Sequence, residues 1–205
     1  MSYIAIGCLG FLVIHLLDIV SLKRAPVVKP FVAILGFGSL VYAIVMIGLQ
    51  PEKLPFSPGY VWFGGALLAI SVSLLVYSLF LNLPFRETYI AKGVGGRLVT
   101  TGLYALVRHP GVHWFVLFMV SSILVSRSSL MLTAALIFIG LDIVLVFVQD
   151  RFIFDRMFAG YDLYRRGTPM LVPNRHSVNA FLNSLRQQVG AHIVAQGGTA
   201  DGRNS

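Results

Sequence analysis

Residues 130–148 read LMLTAALIFIGLDIVLVFV and contain a single charged side chain, Asp142. A helix that crosses the hydrocarbon core of a bilayer needs about 20 consecutive apolar residues, and this stretch is nearly that long. A surface helix of a soluble domain is apolar along one stripe only, whereas here apolar residues occupy every face. The stretch therefore predicts a membrane-spanning helix.

The composition of the whole chain supports the same conclusion. Of its 205 residues, 57% are hydrophobic and 12% are charged, and the mean hydropathy is +0.81. An ordinary soluble domain is about 45–50% apolar and about 25% charged, so this chain has too little polar surface to cover a soluble fold. Cys8 is the only cysteine, which excludes a disulfide scaffold. We expect an integral membrane protein rather than a soluble enzyme or a disordered chain.

Four further apolar stretches precede the one quoted above and predict an all-α, polytopic transmembrane helix bundle with about five spans. Only Arg127 and its neighbouring serines separate the last two stretches, which predicts a tight antiparallel hairpin. Pro110 suits the first turn of a helix, so we expect the fourth span to begin there. The predicted spans are 3–22, 31–49, 60–81, 110–125 and 130–148, within one membrane domain of residues 1–173.

Basic residues fall on alternate connections between these spans. Glu52 offsets Lys53 after the second span, and Arg127 stands alone after the fourth. The positive-inside rule therefore predicts an outside N-terminus and an inside C-terminus. Sidedness also accounts for the net charge of +8, so no nucleic-acid partner is expected. The residues assigned to the cytoplasmic side are Lys23, Arg24, Lys29, Arg86, Lys92, Arg97, Arg108 and the seven arginines from Arg151 to Arg203.

Three ionisable residues interrupt the apolar spans. His15 and Asp18 are three residues apart and share one helical face, and Asp142 lies in the fifth span. Ionisable residues inside spans usually face a bundle interior or a wet cavity. Two interpretations stay open: a polar cavity continuous with a cytoplasmic site, or structural pairs such as His15 with Asp142.

Residues 98–110, LVTTGLYALVRHP, form an unusual cytoplasmic segment. A helix that starts at Pro110 presents free backbone donors and the positive end of its dipole beside Arg108 and His109. Such a place attracts a carboxylate or a phosphate. The alternative is a purely structural helix start, with Arg108 extending to lipid headgroups.

These residues carry a resemblance to a membrane enzyme family. The pattern Gly-x-Tyr-x-x-x-Arg-His-Pro, from Gly102 to Pro110, resembles the hallmark of the isoprenylcysteine carboxyl methyltransferase and phospholipid methyltransferase superfamily. Residues 149–173 are similar to the C-terminal block of that family, where a carboxylate pair precedes a tyrosine run that ends in proline. The counterparts here are Gln149, Asp150, Phe158, Gly160, Tyr161, Tyr164, Pro169 and Pro173.

The resemblance implies an enzyme that binds S-adenosylmethionine at the cytoplasmic membrane face and methylates a lipid or lipid-like acceptor. Gln149 stands where the family usually has a second acid, so a non-catalytic relative is one alternative. An NADPH-dependent membrane reductase of the sterol reductase type, which has a similar Arg-His-Pro block, is another. The implied catalytic residues are Arg108, Asp150 and Arg165, and the implied cofactor-binding residues are Tyr104, His109, Pro110, Tyr161 and Tyr164.

The remaining signals are weaker. His109 and His113 share a helical face, but a zinc site needs three or four ligands and no cysteine is available, so no metal is expected. The glycines of 93–96 do not join a strand to a helix and so do not predict a dinucleotide loop. Residues 174–205 are expected to form a short amphipathic stretch and then a disordered end over 196–205. Short loops favour a bacterial inner membrane.

Overall fold

The structure is a computed structural model and describes residues 2–22, 27–81 and 98–197. Within these ranges the chain is helical and has no strand, so the predicted all-α class is confirmed. Two helices continue in π-helical form: α3 over Tyr77–Leu81 and α6 over Gln149–Ile153. The helices of the described ranges are α1 (Ser2–Leu22), α2 (Val28–Gly48), α3 (Gly59–Val76), α4 (Leu103–Leu106), α5 (Pro110–Ser126), α6 (Ser129–Val148), α7 (Phe154–Met157), α8 (Tyr161–Gly167) and α9 (Arg175–Gly197).

Several sequence predictions fall outside the described residues. They concern Lys23 and Arg24, the charges and glycines of 82–97, the end of the chain over 198–205, and the side chain of Asp18. Lys29 is described and lies in the first turn of α2, where only 2% of its surface is exposed. The side of the membrane that the sequence assigns to it stays a prediction.

Three helical segments of the described ranges are long and apolar enough to cross a membrane: Val28–Gly48, Gly59–Leu79 and Ser129–Met157. Ser2–Leu17 and Pro110–Ser126 are shorter apolar helices. The long helices expose large hydrophobic side chains, which a water-facing surface would not tolerate in such number. These are the features of an integral membrane protein. The exposed side chains include Ile34 and Leu35 on α2, Trp62 and Phe63 on α3, and Leu136 and Val144 on α6.

Glycines let the helices approach closely in two antiparallel pairs. α1 crosses α2 at Gly10, where an added Cβ would lie 2.9 Å from the Leu40 nitrogen and 3.0 Å from the Gly36 oxygen. α3 crosses α5 at Gly64, where an added Cβ would lie 2.7 Å from Leu124 Cβ. Lipid supplies no hydrophobic drive between helices, so this close backbone packing is a main source of their attraction.

An aromatic cluster joins the two pairs through α6. Phe138 of α6 is fully buried, and its ring centroid lies 5.8 Å from that of Phe11 on α1. Phe11 in turn meets Phe115 of α5 edge-on at 5.3 Å. A Cβ on Gly7 would collide with the Phe138 ring, so only glycine fits there. The core therefore lies where α1, α5 and α6 meet.

The helix connections within the described ranges lie at two ends of this bundle. At the Lys53 end, residues 49–58 lie against the turn between α5 and α6. Leu54 N donates to Arg127 O at 2.6 Å, and Lys53 Nζ donates to Ser126 O at 3.1 Å. The hairpin of α5 and α6 is present, and Ser128 caps α6 by accepting from Met131 N. The opposite end, here called the Asp150 end, holds residues 98–110 and 149–173.

Candidate active site

The two segments that the sequence singled out meet at the Asp150 end. The backbone nitrogen of Arg108 donates to Pro169 O at 2.9 Å, and that of His109 donates to Met170 O at 3.2 Å. The segment before α5 is thus held by main-chain hydrogen bonds to the segment after α8. Because the α5–α6 hairpin separates them in sequence, this contact closes a long loop of chain.

Arg108 and Asp150 form a buried, two-pronged ion pair. Arg108 Nε lies 2.8 Å from Asp150 Oδ1, and Nη2 lies 2.9 Å from Oδ2, with both side chains 8% exposed. Arg108 Nη1 donates to the carbonyl oxygens of Arg165 at 2.8 Å and Thr168 at 2.5 Å. Parallel N–H···O bonds of this kind are strong and fix orientation. Arg108 therefore ties together α5, α6 and the segment around α8.

His109 precedes α5 and is buried beside this pair. Its buried Nε2 lies 3.4 Å from Asp150 Oδ1, which is an ion-pair distance, but the contact does not have the geometry of a hydrogen bond. The imidazole stacks on Phe154, with ring centroids 5.6 Å apart and planes inclined by 15°. Pro110 begins α5, as the sequence predicted.

Three tyrosine hydroxyls are used in internal hydrogen bonds. Tyr161 donates to Asp150 Oδ1 at 2.5 Å, Tyr164 donates to Tyr104 O at 2.6 Å, and Tyr104 donates to Ser78 O at 3.1 Å. Burial raises the pKa of Tyr161 above its usual range, and the hydrogen bond to the Asp150 carboxylate raises it further. Burial also raises the pKa of Tyr164. Both phenols therefore stay protonated and act as donors.

An aromatic cluster lies around these hydroxyls. The rings of Phe154 and Tyr161 meet edge-on at 5.4 Å, and Phe158 packs on Phe154 at 5.5 Å. Tyr164 packs on Tyr161 at 5.7 Å. Gly160, at φ +78°, permits the turn that brings α8 back against α7, because only glycine adopts this backbone conformation without strain. Tyr161 is only 2% exposed, whereas Phe154, Phe158 and Tyr164 around it are partly exposed.

The π-helical segments supply two of the anchoring points. Asp150 lies in the segment after α6 and is 6% exposed, while its neighbours Arg151 and Phe152 point outward. Ser78 lies in the segment after α3, and its carbonyl accepts from Tyr104. A π-helical turn contains an extra residue, changes the direction of the side chains after it, and occurs often at functional sites.

Arg165 lies at the edge of the network. Its Nη1 donates to Asp155 Oδ2 at 2.8 Å and approaches Asp150 O at 3.4 Å, and the side chain is 27% exposed. It is more accessible than Arg108, whose donors are directed to Asp150 and to backbone carbonyls. Of the two arginines, Arg165 is therefore better placed to meet a ligand from outside.

The structure brings the eight predicted site residues into this one region, but it changes which atoms are available. Arg108 and Asp150 bind each other, and the tyrosine hydroxyls bind protein acceptors. The pairing of His15 with Asp142, one of the two interpretations of the intramembrane charges, is not formed among the described side chains. His15 Nδ1 bonds instead to Phe11 O at 2.9 Å.

Sequence reasoning missed several contributors to the site. Phe154 could have been found, because it lies four residues after Asp150 and so shares its helical face. Thr168 and Ser78 contribute only backbone carbonyls, which no side-chain pattern reveals. Buried His113 Nδ1 and Trp114 Nε1 on α5 also have no partner in the described chain.

No family model, curated protein or solved structure matches this chain.

Proposed function

We propose that this chain is an integral membrane methyltransferase that transfers a methyl group from S-adenosylmethionine to a lipid or lipid-like acceptor at the cytoplasmic membrane face. The observation that carries the proposal is the meeting of residues 98–110 and 149–173. Both resemble blocks of one methyltransferase superfamily, and Arg108 and Asp150, one from each, form a buried pair. The α5–α6 hairpin brings the two segments near each other, and the Arg108–Asp150 pair joins them directly.

The residues present fit this cofactor. S-adenosylmethionine carries a carboxylate and two cationic groups, and when bound it supplies a methyl group on an electrophilic sulfonium. His109 Nε2 is buried without a hydrogen bond and lies beside the start of α5, where helix geometry favours an anion. Phe154 and Tyr164 are partly exposed, and their aromatic rings suit a cationic group, while Tyr161 packs against both. These residues would hold the cofactor.

The remaining site residues have positioning roles. Methyl transfer is an in-line displacement, so the rate depends on how well the reacting groups are aligned. Arg108 and Asp150 fix the segments that carry His109 and Tyr161, and Tyr104 fixes Tyr164 through its carbonyl. Arg165 is the proposed contact for an anionic group of the acceptor, since its guanidinium is partly exposed.

The proposal includes five spans, with an outside N-terminus and an inside C-terminus, in a bacterial inner membrane. It is supported by the two distinct ends of the bundle. The Lys53 end carries Glu52, Lys53 and Arg127, whose charges nearly cancel. The Asp150 end exposes five arginines, as the cytoplasmic side should. They are Arg151, Arg156, Arg166, Arg175 and Arg186.

Binding of S-adenosylmethionine to the purified protein in detergent tests the proposal. We expect saturable binding that is lost in His109→Ala and kept in His176→Ala, a matched control because His176 is exposed on α9. Transfer of labelled methyl groups to a membrane lipid extract would then identify the acceptor class. Binding of NADPH alone would indicate a reductase instead, and binding of neither molecule would indicate a non-catalytic relative.

A further inference from the structure

The C-terminal helix α9 is fixed to the Asp150 end by one of its faces. Asn174 and Ser177 cap its start reciprocally, with Ser177 N donating to Asn174 Oδ1 at 2.8 Å and Asn174 N donating to Ser177 Oγ at 3.0 Å. Two turns later Ser184 Oγ accepts from Gly102 N at 3.1 Å. Ser177 and Ser184 are buried, so this serine face is the inner face of α9.

The two flanks of α9 differ in character. Val178, Leu182 and Leu185 are spaced by four and three residues and therefore form one stripe, about 100° from the serine face. Their side chains are 38%, 45% and 38% exposed. The other flank is polar and exposed, with His176, Asn183 and Gln187. This asymmetry would not stabilise a helix that is surrounded by water. At a membrane surface it would, because the apolar flank is then buried in lipid.

The charged residues beside the apolar stripe indicate what kind of surface it contacts. Arg175 and Arg186 are exposed, are eleven residues apart, and border the stripe on the side away from the serine face. Arg151, Arg156 and Arg166 are exposed at the same end of the bundle. An apolar stripe edged by arginines complements a bilayer with anionic headgroups, where the side chains enter the acyl boundary and the guanidinium groups remain at the phosphates.

Further large apolar side chains are exposed at the Asp150 end. Phe152 after α6, Leu163 on α8 and Val172 before α9 are 60%, 73% and 79% exposed. Phe152 lies in the last part of the apolar helix Ser129–Met157, where the bilayer surface is the nearest apolar phase. We propose that α9 docks on an anionic bilayer surface through Val178, Leu182 and Leu185, with Arg175 and Arg186 contacting lipid phosphates.

Depth-dependent fluorescence quenching in nanodiscs tests this docking. The protein carries Cys8→Ser together with either Leu182→Cys or Asn183→Cys, is labelled with bimane, and is reconstituted as single copies. The bilayers contain nitroxide lipid, with either phosphatidylcholine alone or a mixture with phosphatidylglycerol. We expect several-fold stronger quenching at position 182 than at 183 in the anionic bilayer. A single copy in each disc excludes a second chain as the occupant.

Charge reversal provides the second measurement. The quenching at position 182 gives the ratio of protein with α9 docked on the bilayer to protein with α9 released from it. Arg175→Glu or Arg186→Glu should each lower this ratio at least about fivefold in the anionic bilayer, because each arginine interacts with the anionic surface. His176→Glu, on the polar flank, should change this ratio less. Equal quenching at 182 and 183, or quenching at 182 that ignores phosphatidylglycerol and both arginine substitutions, would overturn the proposal. These readouts do not involve S-adenosylmethionine, so they can fail or succeed independently of the proposed activity.

Discussion

Asp150 is the acceptor on which the site converges. Its carboxylate receives two hydrogen bonds from Arg108 and one from Tyr161, and His109 Nε2 lies 3.4 Å away. A buried ion pair is stabilising only when its lone pairs and protons are satisfied, and here additional donors provide this. The hydroxyl of Tyr161 therefore stabilises a charge, whereas that of Tyr164 bonds to the neutral carbonyl of Tyr104.

Tyr161→Phe should accordingly destabilise the protein more than Tyr164→Phe. A hydrogen bond to a charged group contributes about 1.5–3 kcal/mol, against about 0.5–1.5 kcal/mol for one between neutral groups. The two variants remove the same atom from neighbouring tyrosines, one buried and one half-buried, and are controls for each other. Reversible unfolding in detergent measures the difference. An equal loss of stability in both variants would show that Asp150 does not depend on Tyr161.

The same tyrosines predict how stability depends on pH. Their folded-state pKa values are raised above the ordinary value near 10, so their contribution is fully present below about pH 10 and declines as the pH rises toward the folded-state pKa. Each phenol should lower the free energy of unfolding by about 1.4 kcal/mol per pH unit in that window. We expect unfolding between about pH 10 and 12 to show this slope, and Tyr161→Phe combined with Tyr164→Phe to flatten it. An unchanged slope in the double variant would contradict the prediction.

At the residue scale, sequence predicted the members of the site better than their contacts. Arg108, Asp150 and Tyr161 are brought together as expected, because the motif segments flank the α5–α6 hairpin. Their mutual pairing could not be predicted, since each was equally suited to bind a ligand. The carbonyls of Thr168 and Pro169 could not be predicted either, because any residue supplies one.

At the scale of elements, packing depends on where two helices lack a Cβ atom. On α3, Gly64 faces α5, while its neighbour Gly65 has no atom within 4 Å of an added Cβ. The two positions are adjacent in one helix and differ only in the face that they occupy. The same substitution at each position therefore distinguishes the effect of helix propensity from the effect of helix packing.

Gly64→Ala should destabilise the protein, and Gly65→Ala should not. An added Cβ at Gly64 would lie 2.7 Å from Leu124 Cβ and 3.2 Å from Val125 N, so α3 and α5 must move apart. Overpacking of this kind costs about 1–3 kcal/mol. Gly65→Ala adds helix propensity in open space and should be neutral or slightly stabilising. Thermal unfolding in detergent compares them. A neutral Gly64→Ala would mean that the two helices do not cross at this point.

Helix boundaries show what hydropathy can and cannot predict. Pro110 was predicted as the start of α5 because proline has a physical preference for the first turn. The end of α6 was placed at residue 148, where the apolar run stops, yet helical structure continues through the π-helical turn to Met157. An apolar run indicates which residues contact lipid. It does not indicate where a helix ends, because polar residues also make the backbone hydrogen bonds that continue a helix.

On the scale of the whole molecule, the two ends of the bundle differ in structure. The Lys53 end is a tight joint between connections, with hydrogen bonds from Leu54 to Arg127 and from Ser129 to Glu52. The Asp150 end holds the buried network and the exposed arginines of the C-terminal region. If the bundle spans the membrane, these ends must lie on opposite sides of it, because α2, α3 and α6 each connect them.

Cysteine labelling tests this arrangement and its orientation in a Cys8→Ser background. Ser57→Cys lies at the Lys53 end and Asp162→Cys at the Asp150 end, and both side chains are exposed. With an outside N-terminus, a membrane-impermeant maleimide should label position 57 in intact bacterial spheroplasts and position 162 only after permeabilisation. The reverse pattern would keep the five spans but invert the protein, moving the arginines outside, against the positive-inside rule. Labelling of both positions from one side would contradict three crossings between them, because α3, α5 and α6 could not then all span the bilayer.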